Sequence, residues 1–181
     1  KDRHFSEFVS PQTPFGIISS FDKFDDLPGK NKVKFYTNKK QGFVDTKYIT
    51  AHKEWIDGWK IYISAAYGAG EGYPHQIINK PFIGEKVSCC SQTYLLVGPF
   101  ANETICKNVI SYMQTKFFRF MVMLKKNAQH AMRGVYDLVP VLDFSKELTD
   151  QELDNLYGLT KEEVDFIDSM IKPMDSTTEE Q

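Results

Sequence analysis

The pattern of hydrophobic and polar positions along this chain changes once, near residue 100. Before that point, short runs of β-branched and aromatic residues are separated by Gly, Pro, Asp and Asn, as is typical of strands and turns. We predict strands over 15–20, 33–37, 42–44, 60–66 and 87–97, the last ending before Gly98-Pro99. In the run 60–66, Ile61 and Ile63 alternate with Lys60 and Tyr62, which predicts a strand with one buried face.

After residue 100 the hydrophobic period becomes helical. From Asn102 to Lys126, apolar residues recur every three or four positions, as on one face of an amphipathic helix. Asn102 is suited to the N-cap, because its side-chain oxygen can accept a hydrogen bond from the first turn. The pattern predicts one helix over 102–126, about 37 Å long at a rise of about 1.5 Å per residue. We expect the aromatic residues of KFFRFMVML to lie in the core.

Two shorter helices are predicted near the C-terminus. Thr149 and Thr160 each precede a Glu by three residues, which is the pattern of a capping box. Gly158 is predicted to end the first helix and Pro173 the second. We expect a body over 1–142 that includes the long helix, an acidic helical extension over 143–174 and a disordered tail over 175–181. The predicted fold class is α+β, with a curved, mostly antiparallel sheet, one long packed helix and two short C-terminal helices.

Charge divides the chain at a similar place. Residues 1–142 have 19 Lys and Arg against 12 Asp and Glu, whereas residues 143–181 have 3 against 12. This asymmetry is compatible with a polyanion bound by the body, and equally with an ordinary solvated surface. No apolar run reaches the roughly 18–20 residues that span a bilayer, and the first residues show no signal peptide. Three cysteines, two of them adjacent, make a poor disulfide framework, so we expect a reduced, cytoplasmic protein.

The stretch AAYGAGEGYPHQI, residues 65–77, places three glycines at alternate positions directly after a predicted strand. A dinucleotide-binding loop requires G-x-G-x-x-G at the start of a helix, whereas this G-x-G-x-G is followed by Tyr73-Pro74. The G-K-[ST] of a Walker loop is absent, as are the E-x-K spacing of many nucleases, a nucleophile elbow and Cys/His pairs at metal-ligand spacing. We therefore predict no catalytic residue, metal ligand or cofactor site in this chain.

Polar and basic residues beside flexible backbone are the remaining chemical signal. Glycine lets backbone N–H groups approach a phosphate, and Asn, Gln, His, Lys and Arg are the types that read base edges and hold phosphates. We predict a DNA-binding surface made of the loop residues Tyr67, Gly68, Gly70, His75 and Gln76 together with Lys53, Lys116, Arg119, Lys125, Lys126, Asn127, Gln129 and His130. The structural alternatives are a glycine-rich surface turn and a helix C-terminus whose lysines complement the helix dipole.

A family resemblance is carried by four stretches: AAYGAGEGYPHQIINKPFIGE, CCSQTYLLVGPF, VISYMQTKFFRFMVMLKKNAQHA and LTDQELDNLYGLTKEEVDFIDSMIKPM. They resemble the C-terminal portion of bacterial type II restriction–modification methylases, adenine-specific enzymes that in some members also contain a nuclease. The resemblance covers about residues 15–174. It implies a target recognition domain, the part that reads the double-stranded DNA to be methylated.

The same resemblance implies what this chain lacks. The S-adenosylmethionine motif and the N-P-P-[YF] motif of that family do not occur in the sequence. The resemblance therefore implies that S-adenosylmethionine binds to a methyltransferase part N-terminal to Lys1, with which this domain would act.

Two other functions stay open at this stage. In one, the chain is a protein-interaction module of a restriction–modification complex, docking through its helices without touching DNA. In the other, it is a small enzyme that uses His75 or His130, although no substrate suggests itself.

Overall fold

Residues 3–174 are described by the computed structural model, and they form an α+β fold, as predicted. The strands are β1 (Lys32–Tyr36), β2 (Gly42–Asp45), β3 (Trp59–Ser64), β4 (Phe82–Ile83), β5 (Ser88–Cys90) and β6 (Tyr94–Phe100). The α-helices are α1 (Glu103–Gln114), α2 (Lys116–Met123), α3 (Asp150–Tyr157) and α4 (Lys161–Met170). Short 3-10 helices occupy Phe5–Phe8, Thr46–Tyr48, Lys53–Trp55 and Arg133–Tyr136.

The strands form two three-stranded sheets where one sheet was expected. Their orders are β2-β1-β5 and β4-β3-β6. The pairing is mostly antiparallel, as predicted, with β1 and β5 as the parallel pair among the strands of residues 3–174.

Two of the predicted strands are wrong. The run 87–97 is divided between β5 and β6, which belong to different sheets, because a turn closed by the Tyr94 N–H on the Ser91 carbonyl separates them. The run 15–20 is a turn, in which Gly16 has a φ of +76°.

The sheet containing β3 lies between two hydrophobic cores. Ile61 and Ile63 pack in the first core, with α1 and α2, whereas Tyr62 packs in the second core, with β1 and β5. Lys60 and Tyr62 are both fully buried, so the predicted exposed face of this strand is wrong. The strand is covered on both sides because the second sheet and the N-terminal loops occupy the face that the alternation assigned to water.

The predicted single helix over 102–126 is also wrong, because the chain breaks at Thr115. Its φ of −62° and ψ of 151° are extended, so α1 ends there and α2 begins. The Thr115 hydroxyl accepts a hydrogen bond from the Phe118 N–H at 3.1 Å. The Asp150 carboxylate accepts from the N–H groups of Lys116 and Phe117, each at 3.0 Å. These two side chains satisfy the free donors of a new helix start.

The C-terminal helices begin as the sequence predicts. Asn102 caps α1, and Thr149 and Thr160 form capping boxes at α3 and α4. Gly158, with a φ of +61°, ends α3, whereas α4 ends at Met170, before the predicted stop. Both helices add a residue to the first core, Leu153 from α3 and Ile167 from α4, and the flanking Leu148 and Ile171 join them there. The predicted tail over 175–181 lies outside the described residues.

Candidate nucleic-acid interface

The glycine loop and the polar segment after α2 lie side by side, although they are far apart in the sequence. Ala66 and His130 form an antiparallel bridge that continues the direction of β3. The Tyr67 N–H donates to the Gln129 carbonyl at 2.9 Å, and the Ala131 N–H donates to the Ala65 carbonyl at 2.9 Å. Residues 65–77 and 125–130 thus share one surface, which we call the loop surface.

His75 closes the glycine loop from inside. Its Nδ1 accepts a hydrogen bond from the Ile77 N–H at 2.7 Å, so the neutral ring carries its proton on Nε2, which lies 3.4 Å from the Gly68 carbonyl. A Cβ on Gly68 would come within 2.3 Å of the His75 ring, and the φ of Gly68 is +88°. The Gln76 side chain is also used within the loop, since its Nε2 donates to the Ile78 carbonyl at 3.0 Å. His75 is 7% exposed and therefore supports the loop, with little surface left for DNA.

A polar network holds the loop against the C-terminal segment. Glu71 forms an ion pair with Lys172 and lies 3.5 Å from Nε2 of His75. Burial acts to raise the pKa of Glu71, but hydrogen bonds from Lys172 and Tyr67 leave that pKa below its usual value. Burial and the hydrogen bond to Glu71 raise the pKa of Tyr67 to about 12. The Tyr67 hydroxyl therefore stays protonated and serves as a donor within the network.

Arg119 was predicted to contact DNA, and the structure places it in the interior. Its guanidinium is 1% exposed and donates only to backbone carbonyls among residues 3–174. Nη1 reaches the carbonyls of Gln76 at 3.3 Å and Lys172 at 2.8 Å, and Nη2 reaches that of Gln114 at 2.9 Å. Nε lies 3.2 Å from the carbonyls of Gln114 and Thr115. The prediction that Arg119 contacts a DNA phosphate is therefore wrong, because its N–H donors bind backbone carbonyls and its side chain is closed off from solvent.

Two of the predicted lysines have carboxylate partners. Lys116 Nζ lies 2.7 Å from a carboxylate oxygen of Asp168 on α4, and Lys125 pairs with Asp137. The hydrogen bond from Lys125 lowers the pKa of Asp137. Both pairs are partly solvated, so either lysine can exchange its carboxylate for a phosphate at small cost.

The other two lysines lie in different settings. Lys126 Nζ donates to the Tyr67 carbonyl at 3.0 Å, and partial burial lowers the pKa of Lys126. Lys126 therefore stabilises the glycine loop through a contact from the segment after α2. Lys53 is exposed in the 3-10 helix Lys53–Trp55, whose Trp55 packs against the second core, so Lys53 is not part of the loop surface.

Four predicted residues remain open to a ligand. Asn127, Gln129 and His130 are exposed, and their side chains form no hydrogen bond with any of residues 3–174. Gly70 is exposed as well, and a Cβ placed on it would meet nothing within 4 Å. These residues offer amide and imidazole groups beside open backbone, the combination suited to base edges and phosphates.

Tyr73 belongs to the loop surface but was not among the predicted residues. Its side chain is 61% exposed, and its ring lies 5.9 Å from that of His75. A solvent-exposed aromatic ring at a loop tip is suited to stacking on a base. The available signal was a large aromatic residue between two turn-forming residues, Gly72 and Pro74, where packing cannot explain it.

Comparison with protein-family models, with curated proteins and with solved structures gives no match to this chain. Within residues 3–174, no helix is long and apolar enough to cross a membrane. The same residues contain no group of three or more His, Cys, Asp or Glu side chains that could hold a metal ion.

Proposed function

We propose that this chain is a sequence-specific DNA-binding domain, the target recognition domain of a restriction–modification adenine methyltransferase. It would act with a methyltransferase part that carries the S-adenosylmethionine site. The observation that carries the proposal is the backbone pairing of residues 65–67 with 129–131. This pairing brings Gln129 and His130, whose side chains are exposed, next to Ala66 and Tyr67 at the start of the glycine loop.

The chemistry of these groups supports readout of base edges. A Gln or Asn side chain can donate and accept at once and so can form a bidentate pair with adenine, while a His side chain can contact guanine or a phosphate. Tyr73 adds an aromatic ring at the same loop tip. The surface thus combines hydrogen-bonding groups with a stacking group.

The charge on this surface supports modest electrostatic affinity. Lys125 is paired with Asp137, and Glu71 adds a carboxylate within the loop itself. Fewer uncompensated cations mean fewer counterions released from DNA and a shallow salt slope. We expect weak binding by the isolated domain, with specificity that depends on hydrogen bonds.

The direct test is selection of duplexes from a random pool by the full chain at low salt, followed by a salt titration on the enriched sequence. Enrichment of one short motif is the expected result. Salt-sensitive binding without any motif would contradict sequence readout by this domain alone, and absence of binding at low salt would reject DNA binding.

A matched pair of variants locates the readout. Gln129→Ala should weaken binding to the selected motif by about 1–3 kcal/mol and relax the preference at one position. Gln151→Ala removes an equally exposed glutamine from α3 and should leave the affinity unchanged. Equal effects of the two substitutions would place the readout elsewhere than the loop surface.

A further inference from the structure

A groove between α2 and α4 lies apart from the loop surface. It has a volume of about 380 Å³ and is lined by Phe120, Leu159, Glu162, Glu163, Phe166 and Ile167. Phe166 is 55% exposed, and its ring packs edge-on against that of Phe120 at 5.9 Å. Leu124, one turn after Phe120, is also 55% exposed. Neighbouring exposed apolar side chains of this size typically mark an interaction site.

The exposure of Phe166 does not come from a failure of α4 to pack. Its neighbour Ile167 is 8% exposed and belongs to the first core, so α4 is anchored on its inner side. Ile171, at the C-terminal end of α4, is fully buried in the same core. Phe166 therefore lies on the rim of a rigid groove, available to a ligand without any local unfolding.

The groove is acidic at its rim. Glu162 forms no hydrogen bond or ion pair with residues 3–174, and Glu163 uses one carboxylate oxygen to cap α4. Over residues 143–174 the sequence has nine Asp and Glu against three Lys. A second copy of this chain docked through the same face would bring these carboxylates together, and such like-charge contacts are unfavourable. Charge complementarity instead favours a basic partner.

We propose that this groove binds a basic amphipathic helix of a partner protein. Apolar residues at i, i+3 and i+4 of the partner would cover Phe166, Phe120 and Leu124, while flanking Lys or Arg would face Glu162. This inference does not depend on DNA binding, because the groove shares no residue with the loop surface.

The probe is a fluorescently labelled synthetic peptide with Leu at helical spacing and Lys at the other positions, titrated into the full chain by anisotropy. A peptide of the same composition with the Leu spacing scrambled, and one with Glu in place of Lys, are the ligand controls. The Leu/Lys helix should bind at least about tenfold more tightly than either control. Equal binding of the scrambled or Leu/Glu peptide would overturn the proposal.

Matched variants separate the groove from general attraction to an acidic protein. Phe166→Ala should weaken binding of the Leu/Lys peptide about tenfold or more, since an aromatic anchor carries much of the energy of such a contact. Leu27→Ala removes a residue that is 74% exposed near the second core and should have no effect. Equal affinities of the two variants would mean that the peptide binds by charge alone, which overturns the proposal.

Two further measurements cover the other outcomes. If Phe166→Ala does not fold by circular dichroism, Glu162→Lys on the exposed first turn of α4 tests the same site and should weaken the peptide several-fold. An unchanged affinity there would contradict the basic partner. Sedimentation that reveals a dimer abolished by Phe166→Ala would assign the groove to a second copy. The duplex affinity of Phe166→Ala should be unaffected, so failure of this proposal and failure of DNA binding can be told apart.

Discussion

Each of the two cores of this protein contains one buried cation without a carboxylate partner in residues 3–174. Lys60 lies on the face of β3 that packs against the second core, and it is fully buried. Arg119 lies on α2 in the first core and is 1% exposed. Both donate to backbone carbonyls. Burying a cation is costly, so in each region the carbonyls must supply most of the compensation.

The two cations bind carbonyls that differ in how far apart they lie along the sequence. Lys60 Nζ donates at 2.8 Å to each of the carbonyls of Ile56, Gly58 and Lys86, which belong to two neighbouring turns. Burial lowers the pKa of Lys60 to about 8. The compact ammonium thus fills one cluster of acceptors and joins the turn before β3 to the turn before β5.

Arg119 joins segments that are remote from one another. Its planar guanidinium reaches the α1–α2 junction, the glycine loop at Gln76 and the C-terminal segment at Lys172. Burial lowers the pKa of Arg119 to about 10, so it stays charged at neutral pH. Five N–H donors on the three nitrogens of a rigid fork reach acceptors on different sides of the group, whereas an ammonium needs its acceptors gathered around one atom. Arg119 therefore holds the candidate site in place from the first core, whereas Lys60 acts within the second core.

The largest expected effect is that of Arg119→Met. The substitution keeps an apolar stem of similar length but leaves the carbonyls of Gln114 and Lys172 without a donor, whereas those of Thr115 and Gln76 keep the N–H groups of residue 119 and Ile78. The free energy of unfolding should therefore fall by about 3 kcal/mol. Urea unfolding measures this change. Arg133→Met is the control, because Arg133 is exposed and its Nε donates to one carbonyl, that of Ser6, at 2.9 Å. It should cost about 1 kcal/mol or less. Similar losses in the two variants would refute the role assigned to Arg119.

A smaller loss is expected from Lys60→Met. The carbonyls of Gly58 and Lys86 lose the lysine donor, whereas that of Ile56 keeps the Ser88 N–H. The variant no longer has to bury a charge, so the free energy of unfolding at pH 7 should fall by about 2 kcal/mol. The effect should also depend on pH. The folded pKa of about 8 lies below the ordinary 10.5, so the unfolded chain binds more protons between these values and the wild type gains stability as the pH rises.

The pH dependence isolates Lys60 from the other titrating groups. The cysteines and tyrosines are present in both proteins, so their contributions cancel in the difference between wild type and Lys60→Met. That difference in the free energy of unfolding should widen by about 1 kcal/mol from pH 7 to pH 9. Urea unfolding at both pH values tests it, and a difference that stays constant would contradict a desolvated ammonium at this position.

Local signals in the sequence predicted the local structure well. The N-caps Asn102, Thr149 and Thr160 and the C-cap Gly158 all lie where the pattern places them, because each is decided by side chains within one turn. The sequence did not predict the helix break at Thr115, because the helical period of apolar residues continues through this position without interruption. Half of its cap is the Asp150 carboxylate, which comes from a distant part of the chain.

The sequence predicted which segments form the candidate site, but not the role of each residue in it. Flexible backbone and polar residue types predicted that the glycine loop and residues 125–130 would form a surface, and the structure places them side by side. The burial of Arg119 could not be predicted, because its carbonyl partners at Gln76 and Lys172 come from remote segments. That of His75 depends on a loop that folds back on itself through the Ile77 N–H and the Gly68 carbonyl. Residue type alone does not show whether an arginine is exposed or buried. Only the tertiary packing distinguishes the residues that support the loop from those that remain open to a ligand.

The smallest expected effect is a difference in stability between alanine variants of two glycines in the loop that Arg119 holds. Gly68 and Gly70 both have positive φ, +88° and +75°, so alanine carries a backbone penalty of about 1 kcal/mol at either position. At Gly68 the new Cβ would also displace the His75 ring, 2.3 Å away, whereas at Gly70 it would meet nothing within 4 Å. Gly68→Ala should therefore be about 1 kcal/mol less stable than Gly70→Ala in urea unfolding. Because His75 accepts from the Ile77 N–H, amide exchange at Ile77 should accelerate in Gly68→Ala alone. Equal stability and equal exchange in the two variants would mean that the His75 ring moves aside freely and does not close the loop.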